Sequence, residues 1–127
     1  MKVSFIATVY NEEASISVLL NSLLAQSKKP DEIIIVDGGS TDRTIDIINN
    51  YRKKIKLIVK KGNRSVGRNE AIKRARNEII VCSDSGCTLD KDWVKNIAAP
   101  FKGPDIDVVA GYYKGDAKTI FQKCLIP

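Results

Sequence analysis

Three short polar segments carry the groups in this sequence best suited to chemistry. Tyr10-Asn11-Glu12, Asp37-Gly38-Gly39-Ser40 and Ser83-Asp84-Ser85-Gly86 each follow a run of apolar, largely β-branched residues. A carboxylate such as Asp37 at a strand end can accept a hydrogen bond from a base N–H or a ribose hydroxyl, and the glycines after it let a ligand approach the backbone. The same residues also suit a plain tight turn, in which Asp37 holds the loop while Ser40, Thr41 or Asp42 caps the next helix. Tyr10 offers an aromatic face to a nucleobase and Glu12 a carboxylate to a base edge or ribose. The competing account makes Asn11 a helix cap, with Glu12 and Glu13 beside the positive end of the helix dipole. Asp84 could hold a ribose hydroxyl or help bind a divalent cation with a diphosphate. Arg68, in the first turn of a later helix, could reach the same place and bind a phosphate or a base carbonyl.

The elements that must position these groups are legible in the apolar pattern. Val3 to Val9 forms a buried first strand; Ile16, Leu19, Leu20, Leu23 and Leu24 then recur at helical steps from Glu13 up to Gln26. Ile33-Ile34-Ile35-Val36 is a second strand, followed by a helix carrying Ile45, Ile47, Ile48 and Tyr51. Ile55 to Val59 is a shorter third strand, and Ser65 is positioned to cap a helix running through Arg76. Ile79 to Cys82 is the fourth strand, a helix with Trp93, Val94 and Ile97 spans about Asp90 to Pro100, and Val108-Val109-Ala110 is a fifth strand. Asp90 and Asp92 suit the start of the Trp93 helix. Repeated strand-then-helix units predict an α/β fold, a mostly parallel sheet with helices on both faces. In such a sheet ligands bind at the carboxyl ends of the strands, where all three polar segments emerge.

Composition narrows the chemistry. With 127 residues, 43% of them hydrophobic, the chain can build one core without a disulfide scaffold. Cys82, Cys87 and Cys124 lack zinc-site spacing and are expected to be reduced and mostly buried. The chain has no histidine, which removes histidine triads and HExxH metalloproteases, so any general base is a carboxylate, lysine or tyrosine. A net charge of +6 favours an anionic partner. The basic residues crowd between Arg52 and Arg76, with Glu70 the sole acid among them. That run lacks aromatic interleaving and any nucleic-acid motif, so nucleic acid ranks last among partners. No segment has the roughly 20 consecutive apolar residues of a spanning helix, which leaves a cytoplasmic location as the expectation.

Taken together, Thr8-Val9-Tyr10-Asn11-Glu12, Ile34 to Asp42, Gly67-Arg68-Asn69, and Asp84 followed by Leu89-Asp90-Lys91-Asp92-Trp93 resemble the family 2 glycosyltransferases of GT-A fold in order and spacing. The resemblance implies a single Rossmann-like GT-A nucleotide-sugar-binding domain over residues 1–127, ending before the acceptor-binding half. It implies an inverting hexosyltransferase that moves a sugar from a nucleoside diphosphate, a UDP-sugar before a GDP-sugar, to an acceptor. Thr8, Tyr10 and Glu12 then line the nucleotide pocket, Asp37 reads the base, Arg68 contacts the nucleotide, and Asp84 faces the ribose and the metal. Mg2+ or Mn2+ would stabilise the leaving diphosphate while a carboxylate base acts on the acceptor. No residue here matches that base, which is expected beyond Pro127.

Two departures stand out. The family's Asp-Asp-Gly-Ser is Asp37-Gly38-Gly39-Ser40 here, and its Asp-X-Asp is Asp84-Ser85-Gly86, without the second acid that usually binds metal. They motivate an alternative, a non-catalytic nucleotide-sugar-binding or assembly module. The apolar Thr119–Ile126 stretch has the pattern of a helix start and is expected to continue in a longer chain, or to dock on another subunit or a membrane surface.

Overall fold

The computed structural model describes residues 1–112, 114 and 115. Four parallel strands, β1 (Val3–Val9), β2 (Glu32–Asp37), β3 (Lys56–Val59) and β4 (Ile79–Cys82), form one sheet in the order β3-β2-β1-β4. Between and after them lie α1 (Ile16–Leu24), α2 (Thr44–Asn49), α3 (Arg64–Arg74) and α4 (Trp93–Ala98), the last continuing into a 3-10 turn at Ala99–Lys102. The chain moves outward from β1 to β3, then returns to place β4 on the other side of β1. That reversal puts the polar ends of β1, β2 and β4 side by side.

Strand alternation sorts the core into two layers. Val3, Phe5, Ala7 and Val9 of β1 face α1, α2 and α4, joined by Ile33, Ile35 and Val81. Ile6, Ile34 and Val36 face the other way, against Ala71 of α3. Helices therefore cover both faces. Ile16, Leu19, Leu20 and Leu23 of α1 are buried, as three- and four-residue spacing requires. Phe5, fully buried, meets Trp93 edge to face with ring centroids 6.3 Å apart, so α4 is pinned on β1 by an aromatic pair.

Glu32, 8% exposed, ties the amino ends of the strands together. Its Oε1 accepts from the Ser4 hydroxyl at 2.7 Å and from the Arg76 amide at 2.8 Å, while Oε2 accepts from Arg76 Nε at 3.1 Å. Burial alone would raise its pKa, but the bonds from Arg76 and Ser4 hold the carboxyl below its ordinary value.

Several expectations are corrected. Val108-Val109-Ala110 is not a strand: Val108 is 85% exposed, and nearby Gly111 lies against Trp93 and Ile97 of α4. No strand among the described residues pairs with the segment to take its N–H and C=O groups. Asn63, not Ser65, caps α3, its side chain accepting from the Val66 amide at 3.0 Å. The first helix begins at Ile16 because Glu12 carbonyl turns the preceding residues, accepting from the Ser15 and Ile16 amides. The Trp93 helix starts at Trp93 instead of Asp90, with Asp90 Oδ1 accepting from the Asp92 amide just ahead of it. Cys82 and Cys87 are free but not buried: Cys82 ends the edge strand β4 and is exposed, and Cys87 is half-buried in the loop beyond it. The Thr119–Ile126 stretch and Cys124 lie outside the described residues.

Candidate functional site

A cleft of about 510 Å³ opens across the carboxyl ends of the strands. Thr8, Tyr10 and Glu12 from the end of β1, Asp84 and Gly86 after β4, and Gly38 after β2 line it. The remaining wall is the start of α3, where Asn63, Arg64 and Gly67 approach. A smaller groove of about 160 Å³ adjoins it, lined by Arg68 and by Thr8 and Asp84, which border both spaces. The shared wall follows from register: β4 ends opposite Ile6, so Ser83 and Asp84 leave the sheet beside Ala7 and Thr8.

Thr8, Tyr10, Glu12 and Asp84 thus share one cleft, and Arg68 sits in the adjoining groove. Tyr10 is 56% exposed, leaving a ring face open to a ligand. Glu12 Oε2 accepts from the Ser15 hydroxyl at 2.9 Å, which fixes one oxygen of the carboxylate and leaves the other. Asp37 differs from the rest: it is fully buried and does not line the cleft. Its Oδ1 accepts from the amides of Gly39 at 2.8 Å and Ser40 at 2.7 Å, and its Oδ2 from the Ser40 hydroxyl at 2.6 Å. Gly39 has a φ of 101°, a conformation that favours glycine, so the loop folds back over this carboxylate.

Asn11 is no helix cap. It sits at φ 50°, and its Oδ1 accepts from the Thr41 amide at 2.8 Å and the Asp42 amide at 3.3 Å. Its own amide donates to Ser40 Oγ at 2.8 Å, which stitches the β1 and β2 loops together. Arg43 holds the cap position of α2, and Asp42 just ahead of it accepts from the Thr44 amide at 2.9 Å. On the far side, Gly67 lets α3 press on β1: a Cβ there would fall 2.9 Å from Thr8 Cγ2.

Four members of the basic run are held in ion pairs. Glu70 on α3 takes Lys60 and Arg74 at 3.1 Å each, and Glu32 takes Arg76 at 3.1 Å and Lys56 at 3.8 Å. The Lys60 bond holds the Glu70 carboxyl below its ordinary pKa against the opposing effect of burial. Arg64 and Arg68 join no ion pair among the described residues. The place of Asn63 and Arg64 in the cleft wall has one signal in the sequence, a good N-cap residue directly after a strand's carboxyl end.

Among the described residues no three His, Cys, Asp or Glu side chains gather into a group that could hold a metal ion. Asp84 is exposed on the wall shared by cleft and groove and can give one carboxylate. A single carboxylate can supply one oxygen to a Mg2+ or Mn2+, and the other ligands of such an ion would have to come from outside these residues. Among the described residues no helix is long and apolar enough to cross a membrane.

An all-parallel sheet covered on both faces, with a polar cleft at its carboxyl edge, is the architecture of the GT-A glycosyltransferases. The family model for glycosyl transferase family 2 matches residues 4–123, and the chain belongs to that family. It is 37% identical over 122 residues to the poly(ribitol-phosphate) beta-N-acetylglucosaminyltransferase TarS of Staphylococcus aureus, covering 91% of this chain and 21% of that protein. The chain therefore spans about a fifth of the length of that relative. The structure of S. aureus TarS 1–349 in complex with UDP superposes with a TM-score of 0.68 at 37% identity, over 80% of this chain and 32% of that one. A mannosyltransferase from Pyrobaculum calidifontis, solved with GDP-Man and Mn2+, shares the fold with a TM-score of 0.76 at 24% identity, over 83% of this chain and 33% of that one.

Proposed function

We propose that this chain is the donor-binding part of an inverting glycosyltransferase that takes a nucleoside diphosphate sugar, a UDP-sugar in preference to a GDP-sugar. The observation that carries this reading is the convergence of Tyr10, Glu12, Asp84 and Arg64 on one cleft at the carboxyl edge of the sheet. The family and the UDP complex of a 37% identical neighbour support it.

In this reading Tyr10 stacks on the base, Glu12 and Asp84 accept from ribose hydroxyls, and Arg68 meets the nucleotide. Asp37 acts from beneath, shaping the loop that closes over the base, and its carboxylate is spent on Gly39 and Ser40. Transfer with inversion requires the acceptor oxygen to attack the anomeric carbon opposite the diphosphate. The carbon–oxygen bond breaks with its electron pair left on the diphosphate, and the acceptor proton passes to a carboxylate base outside the described residues. A bound Mg2+ or Mn2+ would supply charge neutralisation at that diphosphate, with Asp84 as one ligand. The apolar Thr119–Ile126 stretch is the part of the sequence proposed to reach a membrane surface on the cytoplasmic side.

Calorimetric titration of the full-length protein with UDP, GDP and ADP, each with and without Mn2+, tests the reading. Saturable UDP binding, tighter than GDP, is expected. Absence of binding to all three would refute it, and binding without sugar release from any UDP-hexose would leave a nucleotide-sugar-binding module.

A further inference from the structure

We propose that Arg64, together with Arg68, forms a clamp for the donor diphosphate on the α3 side of the cleft; this rests on the nucleotide-sugar reading above. Arg64 lines the large cleft and Arg68 the adjoining groove. Thr8 and Asp84 border both spaces, so Arg64 and Arg68 stand on either side of one shared wall. Their four-residue spacing on α3 puts both on one helix face, with Cβ atoms about 5–6 Å apart. That span suits two guanidinium forks on the oxygens of linked phosphates, the planar geometry in which arginine binds best.

Charge availability separates these two arginines from the four paired cations around them, and their place in the cleft and groove walls separates them from Lys73, which lines neither space. Lys56, Lys60, Arg74 and Arg76 are already committed to Glu32 and Glu70, the buried acids that fasten α3 and the sheet together. Arg64 and Arg68 are exposed and enter no ion pair among the described residues. Asp84, by contrast, adds negative charge to the wall they share, and it repels phosphate unless a cation offsets it. Two arginines provide that offset from the protein itself. The consequence is a nucleotide site whose preference for phosphate survives when divalent cations are removed, whatever a metal adds during transfer.

The test compares uridine, UMP and UDP binding to the full-length protein, in EDTA and in Mn2+, for wild type, Arg64→Gln, Arg64→Lys and Arg68→Gln. Wild type is expected to prefer UDP over uridine by about tenfold or more even in EDTA, as charge-assisted bonds allow. Arg64→Gln and Arg68→Gln should each lose most of that preference, read as the ratio of UDP to uridine affinity, while unfolding at the wild-type temperature, which shows that the fold is intact. Arg64→Lys, keeping charge without the fork, should fall between. Full retention of the preference in Arg64→Gln, or its disappearance from wild type in EDTA, overturns the clamp alone. If wild type binds neither uridine nor UDP, the nucleotide-sugar reading itself fails and takes the clamp with it.

Discussion

Asn11 Oδ1 accepts the Thr41 amide at 2.8 Å across 30 residues of chain, and through it the loop bearing Tyr10 and Glu12 is fixed to the loop that follows β2. A short amide side chain tolerates the left-handed backbone at φ 50° better than most residues and presents an acceptor at the right height.

Replacing Asn11 by alanine is therefore expected to lower stability by about 1–3 kcal/mol, from lost bonds and backbone strain together. Asn11→Gly should recover the backbone part only. Urea midpoints of the three proteins check this, and a glycine variant as stable as wild type would show that the Thr41 bond contributes nothing.

Asp37→Ala removes the acceptor of three short bonds and leaves the Gly39 and Ser40 amides without a partner. Stability without nucleotide should drop by about 2 kcal/mol or more, with UDP affinity falling alongside. Ser40→Ala, which removes the hydroxyl bond, should cost less, about 1 kcal/mol. Thermal melts of the nucleotide-free proteins decide the matter: an unchanged melt with lost UDP binding would make Asp37 a direct ligand contact instead of a loop anchor.

At Gly67 the new Cβ of an alanine would meet Thr8 Cγ2 at 2.9 Å and Val36 Cγ1 at 3.5 Å. Gly67→Ala should destabilise by about 1–3 kcal/mol through overpacking. Thr8→Ser in that background removes the clashing methyl and should restore part of the loss. Additive destabilisation in the double variant, read by denaturant titration, would contradict the contact.

Acid should act through Glu32, whose carboxyl lies below its ordinary value of 4.5 in the folded chain. A carboxylate depressed on folding stabilises above the unfolded pKa, and that contribution fades as pH falls through the folded one. Glu32→Gln should be less stable than wild type at neutral pH, with the gap narrowing below 4.5. A gap that stays constant into acid would mean the bonds to Arg76 and Ser4 do not depend on charge.

The parts of the fold set by periodicity were legible: the β-branched Ile33-Ile34-Ile35-Val36 run, the leucine stripe of α1 and the return to Ile79-Ile80-Val81 each announce an element. What local pattern cannot carry is whether a neighbour exists. Val108-Val109-Ala110 is as apolar as β4 yet has no strand beside it among the described residues, and Asn63 and Ser65 are equally good caps until the chain direction chooses one. The candidate site was legible as loops at strand ends, because topology alone gathers them. The division of labour within it was not: the burial of Asp37, and the position of Arg64 in the cleft wall, depend on how Gly39 and Asn63 turn the backbone.

The strand order has a consequence for synthesis. β1, β2 and β3 can pair in the order in which they leave the ribosome, whereas β4 must travel back to the free edge of β1, bringing Asn77 to Ser4 across 73 residues. Until then one edge of the central strand is open and the cleft lacks its Asp84 wall. Among the described strands the Asp84 wall is therefore the last part of the cleft to be added, and before β4 docks only the walls after β1 and β2 and at the start of α3 are in place.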